Sequence, residues 1–436
     1  MTNRLRQLAV ILSMALLAAH FSRNEAPGLV MVALGAMILL LIKRPWAPRL
    51  LVTLLVSGSA EWVATTVRLA QGRLALGLPW GRLALILGVV ALFTAGSAWL
   101  LRPFLQRQPV RKGDTPWLPV VVFWLIATLL AIVHQVVDPP LLLLERFLPG
   151  YGPLEIFLLG LYGAWLAEKL VTVGPDFARW RSRLWRLFGL VFFSQLLLGL
   201  TGVEECLMTG ELHLPVPAVI LAGPIFRGEG FFMVILFVAA ILLAGPAWCS
   251  FLCYFGPADD LASRRRQRPT AVPVWRDRLQ VAILILTPLL ALLFRLAGVP
   301  SLVAVATALA FAAAGIGVMI LRSRRHGTML HCTAWCPMGW LATRLGKINP
   351  FRLDIAPACH RCGACTPACR YGALEATHLA AGRVGPACTL CGDCVVACRD
   401  GYLRYRFPGL TALTAHRVFI GLIVSVHALF LGVARI

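Results

Sequence analysis

Long runs of apolar residues constrain this chain more than any other feature of its sequence. A helix that crosses a bilayer needs about 20 mostly apolar residues, and eleven such stretches can be read along the 436 residues. They are predicted at 5–21, 28–42, 50–70, 83–101, 117–137, 153–173, 187–203, 229–246, 279–297, 301–321 and 416–434. Charged residues make up only 14% of the chain, against about 25% in an ordinary soluble domain. This excludes a soluble enzyme with one anchor and predicts an all-α polytopic membrane protein.

The distribution of basic residues predicts how these helices are oriented. With the N terminus placed inside, the inner loops before residue 322 collect 20 Lys and Arg residues, and the outer loops and outer helix ends hold 7. Because cytoplasmic loops carry the excess of Lys and Arg, we expect a multi-pass protein of the inner (cytoplasmic) membrane with residues 322–415 on the cytoplasmic side. The net charge of +22 then belongs to these loops and does not indicate a nucleic-acid partner. Arg4 and Arg6 before an apolar run also resemble a signal peptide, whose cleavage would leave the later helices in place.

Composition and motifs divide the chain into four predicted segments. Residues 1–180 hold membrane helices without a motif that indicates their role. Residues 181–350 form a membrane domain with two Cys-x3-Cys motifs, and residues 351–410 are rich in Gly, Pro, Arg and Cys. Residues 411–436 are the last predicted transmembrane helix.

Two runs of four cysteines lie in the insert before the last helix. They share the spacing Cys-x2-Cys-x2-Cys-x3-Cys, beginning at Cys359 and at Cys388. In bacterial ferredoxins the first three cysteines of a run bind one cubane cluster and the fourth binds the other cluster. The predicted ligand sets are therefore Cys359, Cys362, Cys365 with Cys398, and Cys388, Cys391, Cys394 with Cys369. Structural zinc usually takes separated pairs, so we predict two [4Fe-4S] clusters in a cytoplasmic two-cluster domain like a bacterial ferredoxin.

Two details of these runs have structural consequences. Gly363 and Gly392 suit a backbone that must approach a cluster closely. Arg370 and Arg399 follow the fourth cysteine of each run, where the common bacterial run has Pro. Proline at that position ligates nothing, so the prediction of two clusters is unaffected, and we expect nearby positive charge to raise the reduction potentials.

A further pair of cysteines follows each of two predicted helices at the same membrane face. These are Cys249 and Cys253, and Cys332 and Cys336, each with three residues between them. Three interpretations stay open: the four thiols form one redox or metal site, they dock the insert onto the membrane domain, or they are small hydrophobic residues of the core. Cys206 stands alone on the outer side, and we expect it to have no ligand role.

Three histidines, His20, His134 and His427, lie within or near the apolar spans. An ionisable side chain in lipid is a candidate functional residue. Haem b ligation, hydrogen bonding at a quinone site and ordinary interhelical bonds are the alternatives for them.

The order of these motifs resembles that of a known family. The segment Trp248-Cys-Ser-Phe-Leu-Cys-Tyr-Phe-Gly-Pro, a run of Arg, His331-Cys-Thr-Ala-Trp-Cys-Pro and the double cysteine run look like the membrane-bound polyferredoxins of the NapH and NosR type. The resemblance covers about residues 230–405. It identifies the two Cys-x3-Cys pairs with the family's paired motif, although Tyr254 follows Cys253 where the family has Pro.

The resemblance also implies a function. It implies a quinol dehydrogenase-like, iron–sulfur electron-transfer subunit that links the quinone pool to a partner redox enzyme of a respiratory or reductase system. The NosR-type members carry a flavin-binding outer domain, and we expect none here because no soluble outer segment is apparent. The alternative is an accessory polyferredoxin that reduces a metal or a disulfide during metalloenzyme assembly.

Overall fold

The computed structural model describes residues 3–107, 115–138, 140–206 and 214–433, which are mostly helical. Arg111 and Lys112, which enter the charge count, lie outside the described residues, as does residue 434, the predicted end of the last span. The chain forms two compact units, Met1–Glu168 and Lys169–Ile436. The predicted boundaries at residues 180, 350 and 410 stay predictions.

The first unit is a bundle of helices around an apolar core. Its helices are α1 (Asn3–Arg23), α2 (Pro27–Ala36), α3 (Trp46–Ala75), α4 (Gly81–Leu100), α5 (Arg102–Arg107), α6 (Leu118–Val136), α7 (Leu143–Phe147) and most of α8 (Gly152–Thr172). Leu50, Leu51 and Leu55 of α3 are fully buried in the core. The hydroxyl of Ser13 donates a hydrogen bond of 2.9 Å to that of Ser97, which joins α1 to α4.

The second unit combines long apolar helices with the cysteine-rich insert. Its helices are α9 (Phe177–Leu200), α10 (Val219–Arg227), α11 (Phe232–Ala244), α12 (Gly256–Ser263), α13 (Arg276–Leu296), α14 (Ser301–Val318), α15 (Arg324–His326), α16 (Pro337–Leu345), α17 (Ala376–Ala380), α18 (Asp393–Ala397) and α19 (Ala412–Val433). Its two strands are β1 (Arg352–Ile355) and β2 (Leu403–Arg406).

Each of the eleven predicted spans coincides with a helix, and nine helices of the described residues are long and apolar enough to cross a membrane. The predicted span 28–42 is instead a shorter apolar helix, Pro27–Leu40. The predicted span 153–173 is helix α8, which carries Glu155, Glu168 and Lys169. The predicted fold class of a polytopic helical membrane protein is confirmed, and the count of eleven spans is not.

The insert is framed by its two strands, which pair antiparallel with Leu353 opposite Tyr405. Both of these side chains are buried, and the Tyr405 ring stacks on Phe419 of α19 with 4.7 Å between the ring centroids. Asn349 fixes the start of the insert, because its amide donates hydrogen bonds of 2.7 and 2.9 Å to the carbonyls of Leu242 and Leu243 at the end of α11. The insert is therefore held by the helices that precede and follow it.

Candidate metal centres

The two cysteine runs share left-handed backbone conformations at equivalent positions around the second cysteine. Arg361 and Leu390, each directly before the second cysteine of a run, adopt positive φ angles of 55° and 54°. Gly363 and Gly392, each directly after that cysteine, follow with φ angles of 75° and 80°. Positive φ is costly for residues other than glycine and often marks a functional loop. Alternating backbone of this kind turns successive N–H groups to one side, as anion-binding loops require.

The first set of thiols combines three cysteines of one run with the last cysteine of the other. Burial raises the pKa of the Cys365 thiol to about 11, and the charges of Cys398, Cys359 and Cys362 act on it as well. Cys362 is exposed, whereas Cys365 is buried. This set therefore lies close to the solvent-facing surface of the insert.

The second set shows the reciprocal arrangement and lies deeper. Burial raises the pKa of the Cys394 thiol well above its ordinary value, and the charges of Cys391, Cys369 and Cys388 add to this effect. The backbone N–H of Ala373 donates to Sγ of Cys369 at 3.3 Å, and that of Leu390 donates to Sγ of Cys388 at 3.5 Å. Hydrogen bonds to sulfur help to set the potential of iron–sulfur clusters. The thiols whose charges act on Cys365 and Cys394 are those of the two predicted sets, and the ligand sets themselves stay predictions.

A buried network of charges holds the second set against the membrane helices. Arg181 of α9 donates from Nε and Nη2 to the two carboxylate oxygens of Asp393, at 2.7 and 2.8 Å. Arg264, directly after α12, donates to Asp393 at 3.0 Å and to Asp260 at 2.8 Å. Burial by itself raises the pKa of Asp260, but the charge of Arg181 and the hydrogen bond from Arg264 hold it below its ordinary value. Since Asp393 lies between Cys391 and Cys394, this network fixes the cysteine loop directly.

Arg370 provides a second attachment of the insert. Its guanidinium donates hydrogen bonds to backbone carbonyls at four positions, which are Ser263, Arg266, Gln267 and Gly327. Burial lowers the pKa of Arg370 below its ordinary value. The residue that replaces the usual proline therefore satisfies the carbonyls at the ends of α12 and α15, while Arg399, at the matching position of the other run, is exposed.

The two Cys-x3-Cys pairs are built in the same way. Each first cysteine lies on a single π-helical turn, Trp248–Leu252 or His331–Trp335. Each second cysteine is extended, with φ and ψ of −70° and 119° at Cys253 and −74° and 116° at Cys336. Tyr254 in place of proline thus leaves the first turn with the geometry of the second.

Backbone N–H groups face the second cysteine of each pair. Burial raises the pKa of the Cys253 thiol, and the backbone N–H groups of Phe255 and Gly256 oppose this rise. The backbone N–H groups of Met338 and Gly339 act in the same way at Cys336. Both sets of donors lie at the start of a helix, α12 or α16. The same local fold therefore prepares both sulfur atoms to carry negative charge.

The four thiols of the two pairs line one cavity, together with Trp248, Tyr254 and Met338. Burial raises the pKa of the Cys332 thiol well above its ordinary value, and the charges of Asp259, Cys253, Cys336 and Cys249 raise it further. Burial also raises the pKa of Cys336 to about 12. Thiolates at this place therefore need a cationic partner, because the backbone N–H groups near Cys253 and Cys336 offset only part of the cost of burying their charge.

Side chains of two helices position the second pair. The backbone N–H of Cys332 donates to Oδ2 of Asp259 at 3.0 Å. The amide of Gln280 donates to the carbonyls of Cys332 and Cys336, at 3.0 and 2.9 Å. Burial raises the pKa of Asp259 to about 6. A polar shell therefore holds this turn from both sides.

A small aromatic core separates the four paired thiols from the second set of the insert. Trp185, Met329 and Tyr371 pack together, and both Cys332 and Cys369 pack against them. The indole N–H of Trp185 donates to the carbonyl of Cys253 at 2.8 Å, and the hydroxyl of Tyr371 donates to that of Cys249 at 3.0 Å. One layer of side chains therefore touches both groups of cysteines.

The three predicted membrane histidines have different surroundings. Nε2 of His20 lies 3.2 Å from Asn24 and 3.3 Å from Thr65, and 3.5 Å from the carboxylate of Glu61. Polar side chains therefore surround this nitrogen. The ring of His134 faces Gly152. Roles for these two residues at a quinone or haem stay predictions.

His427 is fully buried in the second unit, and its Nδ1–H donates to the carbonyl of Phe251 at 3.3 Å. Phe251 belongs to the first Cys-x3-Cys turn, so His427 supports that turn from within the bundle. Cys206 is buried and lies in the short 3₁₀ turn Glu204–Cys206, away from the four cysteine motifs in sequence.

Several residues that position these sites have no role predicted from the sequence. They are Arg181, Asp259, Asp260, Gln280, Tyr371 and Asp393. The adjacent Asp259 and Asp260 carried a usable signal, because two acidic residues precede a run of arginines in a strongly basic segment. Arg181 carried none, since it is one of several arginines at the start of α9.

A single metal ion needs all its cysteine sulfurs within about 2.3 Å of one point. In the part of the chain that the structure describes, no group of three or more His, Cys, Asp or Glu side chains is arranged to hold such an ion. A cubane cluster makes a different demand, because each of its four cysteines binds a different iron atom.

Comparison with protein families matches residues 226–271 to a 4Fe-4S binding domain. The chain is an iron–sulfur protein. The matched segment includes Cys249 and Cys253, so it covers the first Cys-x3-Cys turn and helix α12 and leaves the two long runs outside. No curated protein and no solved structure matches the chain.

Proposed function

We propose that the protein is a membrane-bound electron-transfer subunit that carries two [4Fe-4S] clusters in its insert and takes electrons from membrane quinol. The observation that supports the clusters best is the exchange of fourth cysteines. The charge of Cys398 raises the pKa of the Cys365 thiol, and the charge of Cys369 raises that of the Cys394 thiol. Each run therefore has its fourth cysteine near the first three cysteines of the other run. This exchange is the ligand pattern of bacterial two-cluster ferredoxins.

Each cluster would supply a site that gains and loses one electron. The chain holds the second set rigidly, through the ion pair of Arg181 with Asp393 and the N–H donors to Cys369 and Cys388. Exposure of Cys362 leaves the first set accessible from outside the protein. A path that begins among the membrane helices of the second unit and ends at Cys362 would therefore deliver electrons to a protein that docks on the insert.

An apolar cavity among the membrane helices of the second unit supports quinol as the donor. It lies between α10, α13 and α14, and Gly223, Phe226, Thr287, Phe294, Thr307 and Phe311 are among its lining residues. Phe311 stacks on Trp335 with 5.1 Å between ring centroids. Trp335 lies between Cys332 and Cys336 in sequence, so one aromatic pair connects this cavity to the paired thiols. Lipid-soluble quinone fits such a cavity, because ligand sites are mostly apolar with a few polar groups.

The resemblance to polyferredoxins of the NapH and NosR type supports the same direction of argument. The insert with Cys362 exposed is the surface on which we expect the partner redox enzyme to dock. We place the insert in the cytoplasm, on the basis of the loop charges. Stable, stoichiometric copurification with a reductase would support this function, whereas sub-stoichiometric association and a metallation defect on deletion would favour the accessory role in metalloenzyme assembly.

The quinol step can be tested by filling the cavity. Ala308 lines it, and Leu309 on the same helix is 51% exposed on the outside of the bundle. We expect Ala308→Phe to slow quinol-dependent reduction of the clusters by at least about tenfold, a change of about 1.4 kcal/mol, while the matched Leu309→Phe changes it little. Dithionite should reduce the clusters of both variants fully. Equal rates in Ala308→Phe and Leu309→Phe would rule out this cavity as the quinol site.

A further inference from the structure

The two Cys-x3-Cys pairs are not explained by a two-cluster insert. Cys249, Cys253, Cys332 and Cys336 come from two segments about eighty residues apart in sequence, yet their thiols line one cavity. Free cysteines that serve only as small core residues have no reason to converge in this way. The repeated π-helical turn and extended second cysteine show that both segments are shaped for one purpose.

The surroundings of the sulfur atoms resemble those of the second set in the insert. At both Cys253 and Cys336, two backbone N–H groups at the start of the following helix favour the thiolate form. Sγ of Cys369 likewise accepts a hydrogen bond of 3.3 Å from the backbone N–H of Ala373. Amide donors of this kind stabilise negatively charged sulfur in cluster sites.

The position of the four thiols favours a redox centre over a purely structural one. Cys332 and Cys369 pack on the same core of Trp185, Met329 and Tyr371. On its other side the site approaches the apolar cavity through Trp335 and Phe311. A centre here would lie between the apolar cavity of α10, α13 and α14 and the second set of thiols in the insert.

We propose that Cys249, Cys253, Cys332 and Cys336 bind a third iron–sulfur cluster of the [4Fe-4S] type, with one thiolate on each iron. The segment that matches a 4Fe-4S binding domain includes the first of the two turns. The proposal needs the iron–sulfur character of the protein and does not depend on quinol as the electron donor.

The test is the metal content of the full-length protein, purified in detergent under anaerobic conditions. Iron, acid-labile sulfide and zinc would be measured per chain, with the electron paramagnetic resonance spectrum of the reduced protein. Three clusters predict about twelve iron atoms in the wild type. The double variant C253S/C336S should lose about four of them, and one spectral component should disappear. The variant C206S serves as the matched control and should keep the full content.

The variant C369S/C394S separates this proposal from the two clusters of the insert. It should also lose about four iron atoms, but from a different spectral component. About eight iron atoms in the wild type, with or without one zinc that C253S/C336S loses, would overturn the third cluster and leave the other two intact. The wild-type content decides even if C253S/C336S fails to fold.

Discussion

At the scale of single residues, Asp393 is the side chain on which the attachment of the insert depends most. Its carboxylate accepts hydrogen bonds from Arg181 and Arg264, and Asp393 and Arg181 are 5% and 1% exposed. Removing one partner of a buried ion pair leaves an uncompensated charge, which costs about 3–5 kcal/mol. Removing one partner of an exposed ion pair costs much less, because such a pair contributes only about 0–1 kcal/mol.

This contrast gives the first prediction. Asp393→Asn should lower the free energy of unfolding of the full chain by about 3 kcal/mol or more. The control Asp354→Asn breaks the half-exposed contact with Arg404, 3.9 Å long, and should change it by less than about 1 kcal/mol. Denaturant unfolding in detergent, followed by loss of cluster absorbance, measures both. Similar effects of the two substitutions would show that the buried network contributes little.

The second prediction concerns the glycines of the two cysteine loops. A Cβ at Gly392 would lie 2.5 Å from the Tyr405 hydroxyl and 3.0 Å from the Phe177 ring, whereas a Cβ at Gly363 has no neighbour within 4 Å. Both glycines have positive φ, which costs other residues about 1–2 kcal/mol. Gly363→Ala should therefore show the backbone cost alone, and Gly392→Ala should show a larger loss of stability. The rate at which a chelator removes iron would rise more for Gly392→Ala; the reverse order would contradict the packing argument.

At the scale of elements, the cysteine spacing predicts the local loops of the insert and does not predict how the insert attaches to the helices. The repeated spacing indicated two related cysteine loops with a glycine at equivalent positions, and both glycines have positive φ angles; their close approach to a cluster stays a prediction. The sequence could not indicate that Arg370 is buried and Arg399 exposed. The two residues occupy equivalent positions in the runs, and only the tertiary fold places one of them against the ends of α12 and α15.

The third prediction uses this difference. Arg370→Ala removes donors to four backbone carbonyls, and unpaired buried carbonyls cost about 1–3 kcal/mol each. We expect this variant to loosen the attachment of the insert, so that proteases cleave the segment 351–410 at least about tenfold faster, as a loss of about 1.4 kcal/mol would produce. Arg399→Ala should be cleaved at the wild-type rate. Unchanged proteolysis of Arg370→Ala would mean that other contacts suffice.

At the scale of the whole molecule, hydropathy predicts which segments are helical and is less reliable for which of them cross the membrane. Each predicted span is a helix, but Pro27–Leu40 is short, and α8 carries three charged residues. The convergence of the paired thiols could only be proposed from sequence, because cysteines about eighty residues apart reveal no common cavity. The repeated spacing favoured the interpretation that the four thiols share one site. The packing of α12, α13 and α16 around the two turns brings these thiols to one cavity.

The orientation of the chain does not depend on which count of spans is right. Eleven predicted spans and the nine long apolar helices of the described residues are both odd numbers, so either count places the C terminus opposite the N terminus. Both counts also leave one crossing, α19, after the insert. The basic loop that contains Arg264, Arg265, Arg266 and Arg268 lies on the inner side with either count, so the insert is expected in the cytoplasm and the end of the chain outside it.

Two fusions of a topology reporter test this arrangement. A reporter attached after Ile436 should be active on the outer side, and one attached after Leu410, before α19 begins, should be active in the cytoplasm. The two fusions differ by a single crossing, so opposite readings are required whatever the number of earlier helices. Equal readings would show that α19 does not cross the membrane. Reversed readings would contradict the loop-charge argument, because they would place the basic loops and the insert together on the outer side.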